Sequence, residues 1–163
     1  AIANGGKYVR PVFYSKVVDR DGNVLLDNTN PQGKQVIKET TAYLLTSAMQ
    51  DVVTKGTGTA CALHDGLDVA GKTGTTSDSK DLWFVGYTPY LTAGIWLGYD
   101  QSYAMEGELS ETEHEYLWAT IMRRVDAECG YEPTSFTVPE NIAPNPESLS
   151  EPPHVHRSPN ILI

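Results

Sequence analysis

Cysteine is scarce in this sequence, two in 163 residues, and basic side chains are outnumbered, 12 against 21 acidic ones. Cys61 and Cys129 are far apart and form no metal-ligand spacing, which excludes a cysteine-based metal site. A disulfide between them is one reading for an exported protein. Spacing alone favours two separate, half-buried thiols. The formal charge of −9 argues against nucleic acid and against an anionic membrane surface as partners. Long apolar runs are missing too. The longest, 91–99, is strand-sized, well short of the roughly 20 residues of a membrane helix. The opening residues lack the pattern of a secretory leader. What remains, 40% hydrophobic and 20% charged, is one domain's worth of globular chain.

Against this background one stretch stands out, Lys72-Thr73-Gly74-Thr75-Thr76. It reads as a β-strand, on which alternate side chains share a face, so Thr73 and Thr75 point the same way. Gly74 between them permits close approach of a backbone or ligand. A row of hydroxyls and strand N–H groups beside the Lys72 ammonium suits an anionic acyl compound such as a peptide carboxylate.

A rival reading uses the same letters. Gly66-Leu67-Asp68-Val69-Ala70-Gly71-Lys72-Thr73 satisfies the G-x-x-x-x-G-K-[ST] phosphate-loop pattern of nucleotide-binding proteins. That loop leaves a buried strand and opens a helix. Residues 57–65 are a poor buried strand, and residues 74–79 a poor helix opening. Context therefore favours the strand, and no motif asks for a cofactor.

Along the chain, residues 1–6 resemble a helix end running into a glycine stop, so the chain is expected to begin inside a domain. A hairpin is predicted to turn at Asp21-Gly22. A helix is expected over 38–54, with Ile37, Thr41, Leu44, Leu45, Ala48, Met49 and Val52 as its apolar stripe. Strands follow at 67–76, 82–88 and 91–99, the last two paired antiparallel through Pro89-Tyr90. Apolar residues on both faces predict a sheet covered on both sides, with Trp83, Trp96 and Trp118 in the core. Ser110 to Glu113 reads as a capping box opening a second helix, carried on by Leu117, Trp118, Ile121, Met122 and Val125 and ended at Gly130. Seven of the ten prolines lie from Pro133 to Pro159, so 132–163 reads as an extended tail after a folded unit of 1–131.

These residues, taken in order, closely resemble the transpeptidase domain of class A (bifunctional) penicillin-binding proteins. The resemblance rests on Lys72-Thr73-Gly74-Thr75, the stretch from Asp81 to Pro89, the stretch from Thr92 to Asp100, the opening from Ala3 to Pro11, and Gly56-Thr57-Gly58-Thr59-Ala60. It implies an α/β fold of the penicillin-binding and serine β-lactamase-like type, an antiparallel sheet covered by helices, here incomplete. It also implies peptidoglycan stem peptides ending in D-alanyl-D-alanine, and β-lactams, as ligands. The family's chemistry runs outside the cytoplasm on a membrane-tethered domain. By the same resemblance Lys72 tunes the site's electrostatics, Thr73 and Thr75 hold the ligand's carboxylate, and the Thr75 N–H supplies half an oxyanion hole.

The family also needs a Ser-x-x-Lys nucleophile on a helix and a Ser-x-Asn loop. Ser77-Asp78-Ser79-Lys80 fits the first as letters, but lies too close to the neighbouring strands for a helix. Ser158-Pro159-Asn160 fits the second but comes after the strand motif. The chain is therefore expected to be the C-terminal half of the domain, with its nucleophile elsewhere and self-association through a bare surface. A non-catalytic recognition or structural module, working only with a partner half, is the alternative. His154 and His156 lack a third metal ligand. His64 and His114 read as surface residues, and Glu106, Glu108, Glu111, Glu113 and Glu115 as a solvated face.

Overall fold

The computed structural model describes residues 1–105, 107 and 110–142. The metal-spaced His154 and His156, the Ser158–Asn160 triplet, Glu106 and Glu108 lie outside that set.

The opening turn closes with Gly6 N–H donating to the Ala1 carbonyl at 2.8 Å. Gly5 and Gly6 both have positive φ, as a glycine stop requires. Strand β1 (Lys7–Tyr8) pairs with β4 (Lys34–Gln35), and β2 (Lys16–Val18) with β3 (Val24–Asp27), all antiparallel. The β2–β3 hairpin turns at Asp21-Gly22 as expected. The Asp19 carboxylate accepts the N–H groups of Asp21 and Asn23 there.

The body of the molecule is a three-stranded antiparallel sheet in the order β5 (Ala70–Thr75), β6 (Asp81–Tyr87), β7 (Thr92–Gly98), with helices α1 (Glu39–Thr54) and α2 (Glu113–Cys129). Thr88 closes the β6–β7 turn, its N–H donating to Leu91 and its hydroxyl accepting the N–H groups of Tyr90 and Leu91. After β5 comes only a short 3-10 turn, Ser77–Ser79, in which Asp78 and Ser79 have positive φ. Residues 70–75 are extended and head no helix, which removes the phosphate-loop reading. The same turn gives Ser77 and Lys80 no helical pairing, and Lys80 faces Asp78 instead.

Both helices lie on one face of the sheet. Val53, Cys61, Leu63, Leu67, Val69, Phe84, Trp118, Ala119 and Met122 form one buried cluster there. Phe84 is its centre, edge-on to Trp118 at 5.1 Å. A Cβ added at Gly71 or at Gly86 would stand 2.4 Å from the Phe84 ring, so this ring lies over two residues that must lack side chains. The Trp118 indole N–H donates to the Ala93 carbonyl at 3.0 Å, tying α2 to β7. Thr46 gives its proton to the Ala42 carbonyl and takes the Tyr87 phenol proton at 2.7 Å, tying α1 to β6.

Several expectations change. The helices cover one face of the sheet along its length, the other only at one end. Trp83, Val85 and Trp96 remain 46%, 48% and 39% exposed, and Trp83 and Trp96 pack on each other at 6.2 Å, while Tyr87, at the far end of the same side of β6, is buried against Thr46 and Phe136. Of the three tryptophans only Trp118 is core. The α1 stripe is also displaced. Ala42, Thr46 and Val53 are buried, while Thr41, Leu44, Leu45 and Ala48 are exposed. Small residues let the helix axis approach β5 closely, which the larger leucines would prevent. On α2, Trp118 and Met122 are buried with His114, Glu115, Ala119 and Asp126, while Leu117 and Ile121 face outward. The capping box does not form. The helix starts at Glu113 without a side-chain cap, and the Ser110 hydroxyl engages Thr112. Cys61 is buried, Cys129 is exposed, and both are free thiols.

Residues 131–136, expected to open a loosely anchored tail, are extended but pinned. Asp68 N–H donates to Thr134, and Phe136 N–H to the Asp68 carboxylate. Tyr131 stacks on Tyr90 at 4.4 Å and Phe136 meets Tyr87 edge-on. Aromatic anchors do here what proline content alone cannot indicate.

Candidate functional site

Strand β5 is the edge of its sheet, and hydrogen-bond parity decides what that edge offers. Thr76 N–H donates to the Asp81 carbonyl at 3.1 Å. In an antiparallel ladder alternate residues turn their main-chain groups toward the partner strand. Counting back from Thr76, Gly74 and Lys72 face β6, and Thr75 and Thr73 turn their N–H groups to the unpaired edge. Thr73 and Thr75 also share a face, since their register partners Phe84 and Leu82 both point to the helices. The free edge therefore carries two hydroxyls and two N–H donors from the same pair of residues.

The Lys72 ammonium bends round the strand. Its Nζ donates to the Thr73 carbonyl at 3.0 Å and lies 3.4 Å from the Thr73 hydroxyl. A Cβ at Gly74 would meet only the Trp83 Cβ, at 3.3 Å, so the strand stays open on its far side. Thr57, from the loop after α1, bonds the Thr73 hydroxyl at 2.7 Å. Thr57, Lys72, Thr73, Gly74, Thr75, Glu111, Thr112 and Glu115 together line an open cleft of about 560 Å³. No serine is among them.

The structure thus brings Lys72, Thr73, Gly74 and Thr75 together and adds Thr57 and Glu115. Thr57 was visible only as part of the glycine-threonine run after α1, with nothing to say that it would cross to β5. Glu115 was placed on a solvated face; it is only 2% exposed, and its Oε2 has no hydrogen-bond partner. Burial raises its pKa above the ordinary carboxyl value, with the Ala60 backbone N–H working weakly against this. Glu111 and Glu113 are exposed, as expected.

His114, read as a surface residue, is 1% exposed, with both ring nitrogens unpartnered. Burial lowers its pKa; the Trp83 backbone beside the ring opposes this without closing a well-formed hydrogen bond. His64 is exposed. Cys61 donates its thiol proton to the Glu115 carbonyl at 3.8 Å, and burial pushes its pKa upward, as expected of an inert core thiol.

An antiparallel sheet with its helices packed on one face, ending in a lysine-threonine-glycine edge strand, has the architecture of penicillin-binding and serine β-lactamase-like proteins. Comparison with known proteins agrees. The sequence profile of the penicillin binding protein transpeptidase domain matches residues 1–104. Penicillin-binding protein 1A of Clostridium acetobutylicum is 41% identical over 120 residues, which is 74% of this chain and 14% of that protein. Penicillin-binding protein 1F of Bacillus subtilis is 35% identical over 150 residues, 86% of this chain and 20% of that protein. The solved structure of penicillin-binding protein PonA1 from Mycobacterium tuberculosis superimposes with a TM-score of 0.67 at 29% identity, over 86% of this chain and 39% of that one. The chain belongs to the penicillin-binding protein transpeptidase family. It spans a fifth or less of the length of these two curated relatives.

Proposed function

We propose that this chain supplies the carboxylate-binding edge of a D,D-transpeptidase that cross-links peptidoglycan on the outer side of the cell membrane. The observation that carries the reading is the doubled donor row. Thr73 and Thr75 each present a hydroxyl and an N–H at an open strand edge, with the Lys72 ammonium bonded to the Thr73 carbonyl. A stem peptide ending in D-alanyl-D-alanine would lie along this edge as an added strand, its terminal carboxylate on the two hydroxyls. The penultimate carbonyl oxygen would then face the Thr75 N–H. One such oxyanion donor contributes roughly 3–4 kcal/mol to acyl transfer in comparable sites.

In the reaction a serine oxygen attacks the penultimate carbonyl and the peptide bond to the last D-alanine breaks, releasing it with a proton. The acyl group then passes to an amine of a neighbouring strand, which returns the serine its proton. A β-lactam enters by the same attack, its ring amide opening. The serine comes from the part of the domain that precedes this segment. Lys72 holds positive charge beside the developing oxyanion.

A covalent fluorescent penicillin tests both halves of the reading. The 163-residue chain alone should take no label, and labelling at any of its serines overturns the placement of the nucleophile. In the full-length protein, Thr75→Ala keeps the main-chain N–H and removes the carboxylate-binding hydroxyl, so labelling should slow by about tenfold or more, the scale of one lost hydrogen bond to a charged group. An unchanged rate would remove the edge strand from the site.

A further inference from the structure

Glu115 sits on the first turn of α2, in the wall of the cleft that also holds Lys72, Thr57, Thr73 and Thr75. It is almost wholly buried, and its Oε2 has no partner. No ion pair relieves it among the described residues, and the one ammonium in the cleft is engaged with Thr73. A carboxyl in that setting is cheapest when neutral, because burial without a counter-charge penalises the ionised form. We infer that Glu115, sealed in the cleft wall with a free carboxyl oxygen, is a positioning residue that sets how well the threonine edge accepts an anionic ligand.

The inference rests on the carboxylate reading of Thr73 and Thr75. When neutral, Glu115 adds no charge to the cleft, and a ligand carboxylate meets only the threonine donors and Lys72. When it ionises, a buried anion stands in the wall of the cleft that holds the ligand carboxylate, and like charges disfavour each other. The other charged groups lining the cleft are Lys72 from β5 and the exposed Glu111 ahead of α2; Cys61, from the short turn Thr59–Cys61, lies in the core behind them, bonded to the Glu115 carbonyl, with a thiol that burial keeps protonated. His114, the preceding residue on α2, is buried and unpartnered too, and its imidazole loses a positive charge as pH rises, so the comparison with Glu115→Gln assigns the change to Glu115.

The test is the acylation rate of the full-length protein by an anionic penicillin, divided by its rate with the neutral methyl ester of the same compound. The ratio cancels the nucleophile's own titration, which both compounds share. In the wild type the ratio should fall about tenfold across the ionisation of Glu115, the size of one pKa unit of coupling between two charges. In Glu115→Gln it should stay flat and high. A wild-type ratio that does not change with pH, or the same fall in Glu115→Gln, overturns the inference; if that variant does not fold, His114→Gln decides in its place, since its ratio should still fall and a flat ratio there overturns the inference. A ratio unaffected by Thr73→Ala with Thr75→Ala overturns the carboxylate reading itself, and this inference with it.

Discussion

Neighbouring residues on β6 have opposite fates. Phe84 and Leu82 are fully buried against the helices, while Trp83 and Val85, one residue along, are about half exposed. Both faces have the composition of a core, yet only one is covered along its length; the other is covered at Tyr87 alone on β6. Hydrophobic content therefore states which surfaces need cover, and the packing of the two helices states which of them receives it within this chain. The bare face is the kind of contiguous apolar surface that monomeric proteins rarely leave in water.

The comparison can be broken by mutation. Phe84→Ala should cost about 3–5 kcal/mol in urea unfolding, the usual cost of removing a buried aromatic ring. A loss no larger than that of Trp83→Ala would show that the two faces do not differ. Gly86→Ala should cost about 1–3 kcal/mol, because its Cβ would stand 2.4 Å from the Phe84 ring. Gly74→Ala meets only the Trp83 Cβ and should unfold at nearly the wild-type urea concentration, so equal midpoints for both variants would contradict the packing.

A subtler effect comes from the buried titratable groups on the covered side. His114 has its pKa lowered from 6.5, so its contribution to stability is present above that value and is lost as pH falls through the folded value. Glu115 and Asp126 are raised from 4.5 and 3.8, so theirs is full below those values and is lost as pH rises through the folded ones. The stability curve is thus pinched from both sides. Urea midpoints measured from pH 4 to 9 should lose their acid limb in His114→Gln and flatten on the alkaline side in Glu115→Gln. The smallest expected change in stability, within about 1 kcal/mol, belongs to Trp83→Gln with Trp96→Gln on the open face. There the readout is association. The wild-type chain at tens of micromolar should sediment as more than a monomer, and the double variant should not.

Much of the edge strand was legible from its letters. Alternation placed Thr73 and Thr75 on one face, and the β6–β7 turn followed from Pro89 and Tyr90. The helices were found within a residue at most boundaries, yet their buried stripes were misjudged. Leu44 and Leu45 look more core-like than Ala42 and Thr46, but the short side chains are what allow α1 to lie close on β5. Nor could a capping-box pattern reveal that Ser110 would turn to Thr112 and leave Glu115 facing inward.

The order of residues alone determined the extended, hydroxyl-bearing row at 72–76, because strand geometry imposes a two-residue period whatever surrounds it. The pairing of Thr57 with Thr73, the outward turn of the Thr75 N–H and the burial of His114 and Glu115 were decided only in three dimensions. Each depends on which element arrives alongside, and contacts between residues far apart in the chain leave no local period to read.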